Sequence, residues 1–65
     1  MKYPYVELHI VYNEDNTVYE VDGYIHENDE QGHDNYVNTF DSLDKAETWA
    51  AEQGLEIKRN EEMRN

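Results

Sequence analysis

Two runs of alternating apolar and polar residues flank a short polar segment, and only a β-hairpin gives both runs a common buried face. Val6, Leu8, Ile10 and Tyr12 alternate with Tyr5, Glu7, His9 and Val11, while Tyr19, Val21, Gly23 and Ile25 alternate with Val18, Glu20, Asp22, Tyr24 and His26. Period two in β-branched and aromatic residues marks a strand with one face in a core. Asn13, Glu14, Asp15 and Asn16 between the runs have turn composition. Strands are expected over residues 3–12 and 17–26, with Pro4 at the start, where a missing N–H does least harm. With Asn13 to Asn16 as the loop, Tyr12 opposes Thr17, Ile10 opposes Tyr19 and Leu8 opposes Val21. A two-residue loop shifts the pairing by two and keeps the same faces. A slip by one residue would turn the apolar set to water and is excluded by burial.

The run from Glu27 to Asn35 is polar and offers nothing to a core; Gly32 is placed to supply a positive φ there. A short third strand is expected over residues 36–40. Asp41 and Ser42 are then good helix caps. Leu43, Ala46, Trp49, Ala50 and Gln53 share one side at helical spacing, which predicts a helix over 43–53. Gly54 is the natural residue just past its end, with Leu55 placed for the accompanying apolar contact. Leu55 and Ile57 start a short fourth strand over 55–58, and the apolar pattern then stops, so residues 59–65 are expected to fray. The fold class is α+β: a small antiparallel β-sheet of three or four strands, with one α-helix packed on one face and water on the other. Residues 1–65 make one domain, with an ordered core of about 3–58.

Charge narrows the function. The 65 residues carry 16 Asp and Glu against 5 Lys and Arg, a formal net charge of −11. A compact state this charged repels itself, and a domain of roughly 60 residues buries only about 60% of its unfolded surface. Anionic lipid and nucleic acid both repel such a chain, so neither a membrane nor direct nucleic-acid binding is expected. No stretch approaches the ~20 apolar residues of a membrane span. The absence of cysteine excludes disulfides and thiolate metal sites. With no apolar run in Met1 to Tyr5, a cytoplasmic location is the expectation. The partner is expected to be a basic protein surface.

The candidate binding residues are Glu7, Glu20 and Asp22 on the outward strand face, Glu14 and Asp15 in the turn, and Glu27, Asp29, Glu30 and Asp34 in the polar loop. In the register with Asn13 to Asn16 as the loop, Glu7 faces Asp22 and His9 faces Glu20. Opposed like charges are destabilising. An outward Glu on one strand needs no function to explain it, but a surface of one sign is unusual among stable domains. Arginine accepts carboxylate and phosphate with similar fork geometry. Ordered carboxylates therefore serve where the Lys and Arg of a DNA-binding groove expect phosphates. Tyr5, Tyr24 and Tyr36 add aromatic anchors, with Tyr5 and Tyr24 as cross-strand neighbours. His9, His26 and His33 lie near many acids, and Glu27, Asp29, Glu30 and Asp34 are the residues that would crowd a Ca²⁺ ion. The spacing is not that of an EF-hand or a zinc helix, so no metal or other cofactor is expected. Catalysis is not expected either. No P-loop or nucleophile elbow is present, and the single serine, Ser42, is better used as a cap.

In size, missing cysteines, acidic strand positions Glu7, His9, Glu20 and Asp22, acidic loop and single helix around Trp49, the chain resembles the small acidic DNA-mimic proteins of phages and mobile elements. Among these it most resembles the short anti-CRISPR proteins directed at type I CRISPR-Cas interference complexes. The resemblance is one of character over the whole chain and carries no shared motif. It implies an inhibitor, in the host cytoplasm, that occupies the subunit recognising duplex DNA. Related acidic mimics act on restriction enzymes. The competing expectation is a small acidic interaction module, an accessory subunit or antitoxin-like or anti-restriction protein, that binds through apolar patches without DNA mimicry. Monomer and homodimer are both compatible with the sequence.

Overall fold

Ser42 and Gly54 bracket the helix as their residue types demand. In a computed structural model, which describes residues 2–29 and 35–64, the chain runs β1 (Tyr5–Tyr12), β2 (Val18–His26), β3 (Tyr36–Phe40), α1 (Leu43–Glu52) and β4 (Glu56–Met63). The Ser42 Oγ accepts the Lys45 backbone N–H at 3.2 Å, and Gly54 ends α1 at φ 67°. The four strands form one sheet in the order β3-β2-β1-β4, with α1 on one face. The fold class is the α+β architecture read from the sequence. The sheet is mixed, however: β1 and β2 pair antiparallel, as do β2 and β3, but β1 and β4 pair parallel. The reason is the connection. The chain leaves β3 at one edge, crosses the sheet through α1 and re-enters beyond β1, so β4 runs in the direction of β1. Parallel neighbours need such a crossover.

The hairpin corrects the expected register. The Asn16 N–H bonds the Asn13 carbonyl at 2.9 Å and the Asn13 N–H bonds the Thr17 carbonyl at 2.8 Å, so the loop proper is Glu14, Asp15 and Asn16. Asn16 takes φ 70°, the left-handed conformation that this loop length requires. Such a loop slips the pairing by one residue, and Tyr12 meets Val18. A bulge between Val11 and Tyr12 in the ladder then leaves Tyr19 as the extra residue, and Val11 meets Glu20. The second slip restores the faces that the first would have inverted. Ile10 therefore opposes Val21, Leu8 opposes Gly23 and Val6 opposes Ile25. The expected pairs Glu7–Asp22, His9–Glu20 and Tyr5–Tyr24 do not form.

The core lies between α1 and the inner sheet face. Val6, Leu8, Ile10, Val21, Ala46 and Ala50 are buried, with Tyr12, Val18, Ile25, Phe40, Leu43, Trp49 and Leu55 packed around them. Gly23 is required here. A Cβ at this position would meet the Trp49 ring at 2.7 Å and the Phe40 ring at 2.9 Å. The small alanines of α1 and the missing side chain of Gly23 bring helix and sheet close, and Trp49 fills the space beside them. Each fully buried Val, Leu or Ile contributes ~1.5–3 kcal/mol, a large fraction of a small domain's stability.

β4 corrects the expectation of a frayed tail over 59–65. All its residues are exposed, so burial does not hold it. It is held by an eight-residue ladder on β1, by the Arg64 N–H on the Tyr12 carbonyl at 2.7 Å, and by side-chain pairs. The Tyr12 hydroxyl donates to Glu61 at 2.6 Å. Arg59 bonds Glu47 of α1 at 3.0 Å, and Asn60 donates to Glu7 at 3.2 Å.

Two outcomes are expected. Gly23→Ala should lower stability by ~1–3 kcal/mol through overpacking and Trp49→Ala by ~3 kcal/mol or more, both read from urea-unfolding midpoints. Alternate amides of β4 and the Arg64 amide should exchange slowly with D₂O; fast exchange throughout residues 56–64 would return that segment to a frayed tail.

Candidate functional site

Alternation and register place one residue set on the face away from α1. It comprises Tyr5, Glu7, His9 and Val11 of β1, Glu20, Asp22, Tyr24 and His26 of β2, Tyr36 and Thr39 of β3, and Glu56, Lys58, Asn60 and Glu62 of β4. The face divides into two zones, one aromatic and one acidic.

The aromatic zone is a chain of five rings running across the sheet from the segment before β1 to β3. Tyr3 contacts Tyr5 at 5.3 Å between centroids, Tyr5 stacks on His26 at 4.7 Å, His26 lies alongside Tyr24 at 6.1 Å, and Tyr24 meets Tyr36 edge-on at 5.8 Å. Tyr5 is only 8% exposed although it lies on the open face, while Tyr36 is 46% exposed. Glu7 belongs to this zone. Its Oε1 lies 2.8 Å from His26 Nε2, and Asn35 Nδ2 lies 3.0 Å from Nδ1 of the same ring. Glu7 is thus tied to its neighbours by the histidine and by Asn60.

The acidic zone contains Glu20, Asp22 and Glu62 around His9. His9 opposes Asp22 in the ladder, and its Nε2 lies 3.1 Å from Glu62 Oε1. Glu20 and Asp22 are successive outward residues of β2, ~6.8 Å apart by strand geometry. The acceptor that Asp22 offers to a protonated Glu20, the Asp22 charge and desolvation hold the Glu20 carboxyl above the usual glutamate range, against a smaller pull from His9. The Thr39 hydroxyl donates to Asp22 Oδ1 at 2.7 Å and is itself 2.8 Å from the Tyr36 hydroxyl.

The structure brings Glu20 and Asp22 together and sets the other candidates apart. Glu14 and Asp15 stand at the hairpin tip beside a recess of about 530 Å³ that Arg64 also lines. The Asp15 carboxylate accepts the Thr17 hydroxyl at 2.6 Å and the Thr17 N–H at 3.1 Å, which hold it below the usual range. Glu27 and Asp29 follow the far end of β2 and are exposed, roughly 17 Å or more along the strand from Asp22. Glu30 and Asp34 lie outside the described residues, as do Gly32 and His33. Acids also occur on the helix side, but there Asp41 pairs with Lys45, and Glu47 and Glu61 pair with Arg59. Among the described residues, Glu20 and Asp22 have no cation within 4 Å. Glu62 was missed by the sequence reading because it fell in the supposed tail. The ring chain was missed because it depends on the corrected register. No group of three or more His, Asp or Glu side chains among the described residues is arranged to hold a metal ion, and none of their helices is long and apolar enough to cross a membrane.

No family model matches the chain, and no curated protein or solved structure matches it either.

The Glu20–Asp22 pair has a pH signature. A carboxyl whose folded-state pKa is raised binds its proton more tightly folded than unfolded, so its contribution favours the fold at low pH and is lost as pH rises through the raised value. Asp15 acts oppositely, stabilising above the ordinary aspartate range and losing that contribution as pH falls through its lowered value. Glu20→Gln is therefore expected to raise Tm at pH 7 and to converge on the wild type in acid, as followed by circular dichroism. A lower Tm at pH 7 would remove the proposed repulsion.

Proposed function

We propose that the protein is a non-enzymatic, stoichiometric inhibitor that mimics DNA charge, docking its outer sheet face on a basic surface that otherwise holds the phosphates of duplex DNA. The observation that carries this reading is the Glu20–Asp22 pair: two carboxylates held side by side on a rigid strand, under mutual repulsion, with no cation of their own among the described residues. Duplex DNA carries one charge per ~3.4 Å along each strand, and guanidinium forks accept carboxylate as they accept phosphate. Glu62 extends the pair across the sheet, with Val11 between it and Glu20 in the ladder. By its likeness to type I anti-CRISPR proteins, the partner is the subunit of an interference complex that recognises duplex DNA, met in the host cytoplasm. A second reading, an interaction module without mimicry, is favoured by the five-ring chain, since aromatic anchors carry much of the energy of protein interfaces.

Association with a purified type I interference complex, measured by biolayer interferometry across a salt series, separates the two. Mimicry predicts affinity that falls steeply with salt and a loss of about tenfold or more on reversing Glu20 and Asp22 to Lys, with folding intact because both side chains face outward. Affinity indifferent to salt and to that reversal, but lost on Tyr36→Ala, would instead establish the interaction module.

A further inference from the structure

β4 is an edge strand, and its charges are balanced where the rest of the chain is acidic. The chain has five Lys and Arg, and three of them, Lys58, Arg59 and Arg64, fall within residues 56–64 beside three acids, Glu56, Glu61 and Glu62. This is a locally neutral segment on a molecule of net charge −11. Its main chain is open as well. The Arg64 N–H bonds the Tyr12 carbonyl of β1. By strand alternation the N–H and C=O groups of Ile57, Arg59, Glu61 and Met63 therefore point away from β1, to an edge that no described strand pairs. We propose that this edge receives β4 of a second copy of the chain, antiparallel about Asn60, to give a homodimer in which the two four-stranded sheets become one.

Symmetry limits the registers open to such a pair. A two-fold axis normal to the sheet keeps each face on its own side. A residue can then meet only one of the same face, and residue i meets j as j meets i. Centring the axis on Asn60 sets Lys58 against Glu62 of the second copy on the outer face, and Arg59 against its Glu61 on the helix side. Ile57 meets Met63, and these are exposed apolar side chains, at 43% and 50%. Glu56 meets Arg64 at each end. Every charged residue of the segment thereby faces its opposite, which is stabilising across an antiparallel pair. The neighbouring registers fail. Centring on Arg59 sets that residue against itself and Glu56 against Glu62. Centring on Glu61 sets that residue against itself and Lys58 against Arg64. Lys58 has no carboxylate within 4 Å among the described residues, and the pairing supplies one. The outward main-chain groups fall on the hydrogen-bonded positions of this register, Ile57 with Met63 and Arg59 with Glu61. Charged side chains ordinarily blunt an edge strand against its own kind; here their order makes the edge complementary to itself. α1 packs mainly against β1, β2 and β3, so the seam lies beyond the helix, and Glu20 and Asp22 of both copies stay open.

Sedimentation equilibrium of the full chain over a concentration series tests this, at about 0.15 M salt to screen the long-range repulsion of two acidic molecules. A two-chain species that grows with concentration is expected. Over the same series, hydrogen exchange at the Ile57, Arg59, Glu61 and Met63 amides should slow, with no matching change at β3 on the other edge. Lys58→Glu and Glu62→Lys each turn two attractive pairs into two repulsive ones, and each should weaken self-association about tenfold or more. An equimolar mixture of the two variants makes both pairs attractive again and should recover a heterodimer, which misfolding of either variant would not allow. A single-chain species at every concentration would overturn the proposal. So would association that leaves the four outward amides unprotected, variants that self-associate as the wild type does, or a mixture no more associated than either variant alone.

Discussion

The Trp49 ring lies over Gly23, and the arrangement of the whole molecule follows from that contact. Only glycine lets the indole approach the sheet so closely. The helix must then cross β2 at this point, with Ala46 and Ala50 against the strands. Gly23 must face the helix, so Leu8 opposite it is buried and the residues between alternate outward. The hairpin reaches that register only through a loop slip and a compensating bulge at Tyr19. Packing selects the register, and the turn accommodates it. The polar side chains of β1 and β2 reach the open face because the apolar ones are committed to Trp49.

Charge is organised around the same constraint. A chain with net charge −11 and a small core tolerates repulsion only where it is dispersed or paired. On the helix side Arg59 links α1 to β4 through Glu47 and Glu61. On the open face Glu7 is absorbed by His26 and Asn60, and Glu62 meets His9. Glu20 and Asp22 are left as the strained pair. Exposed pairs contribute little individually, and β4 depends on several of them together with its backbone ladder.

Much of this architecture was legible in the residues. The helix was readable because Ser42 and Gly54 are chemically specific caps and because Ala46, Trp49 and Ala50 keep helical spacing. The observed helix, Leu43–Glu52, ends one residue before the expected limit. Both hairpin faces followed from alternation, and β3 lies over the expected residues, Tyr36–Phe40, although its alternation is weak. The hairpin register did not, since it depends on Asn16 adopting a left-handed conformation and on Tyr19 being expelled as a bulge, and neither leaves a mark in a period-two pattern. β4 escaped for a different reason. A parallel edge strand held by hydrogen bonds and ion pairs needs no apolar stripe, so Arg59 to Met63 looked like solvated chain. Of the site, the outward placement of Glu20 and Asp22 was legible, but the lack of any Lys or Arg within 4 Å of them among the described residues was not. That isolation depends on where Arg59, Arg64 and Lys45 go in three dimensions.

If the open sheet face substitutes for the DNA backbone, as proposed, DNA and this protein cannot occupy the target at the same time. Sedimentation of a type I interference complex with a labelled target duplex and increasing amounts of this protein tests that directly. Mutually exclusive binary complexes, with duplex released in proportion to protein bound, are the predicted result. A stable ternary species holding both duplex and protein would contradict the account.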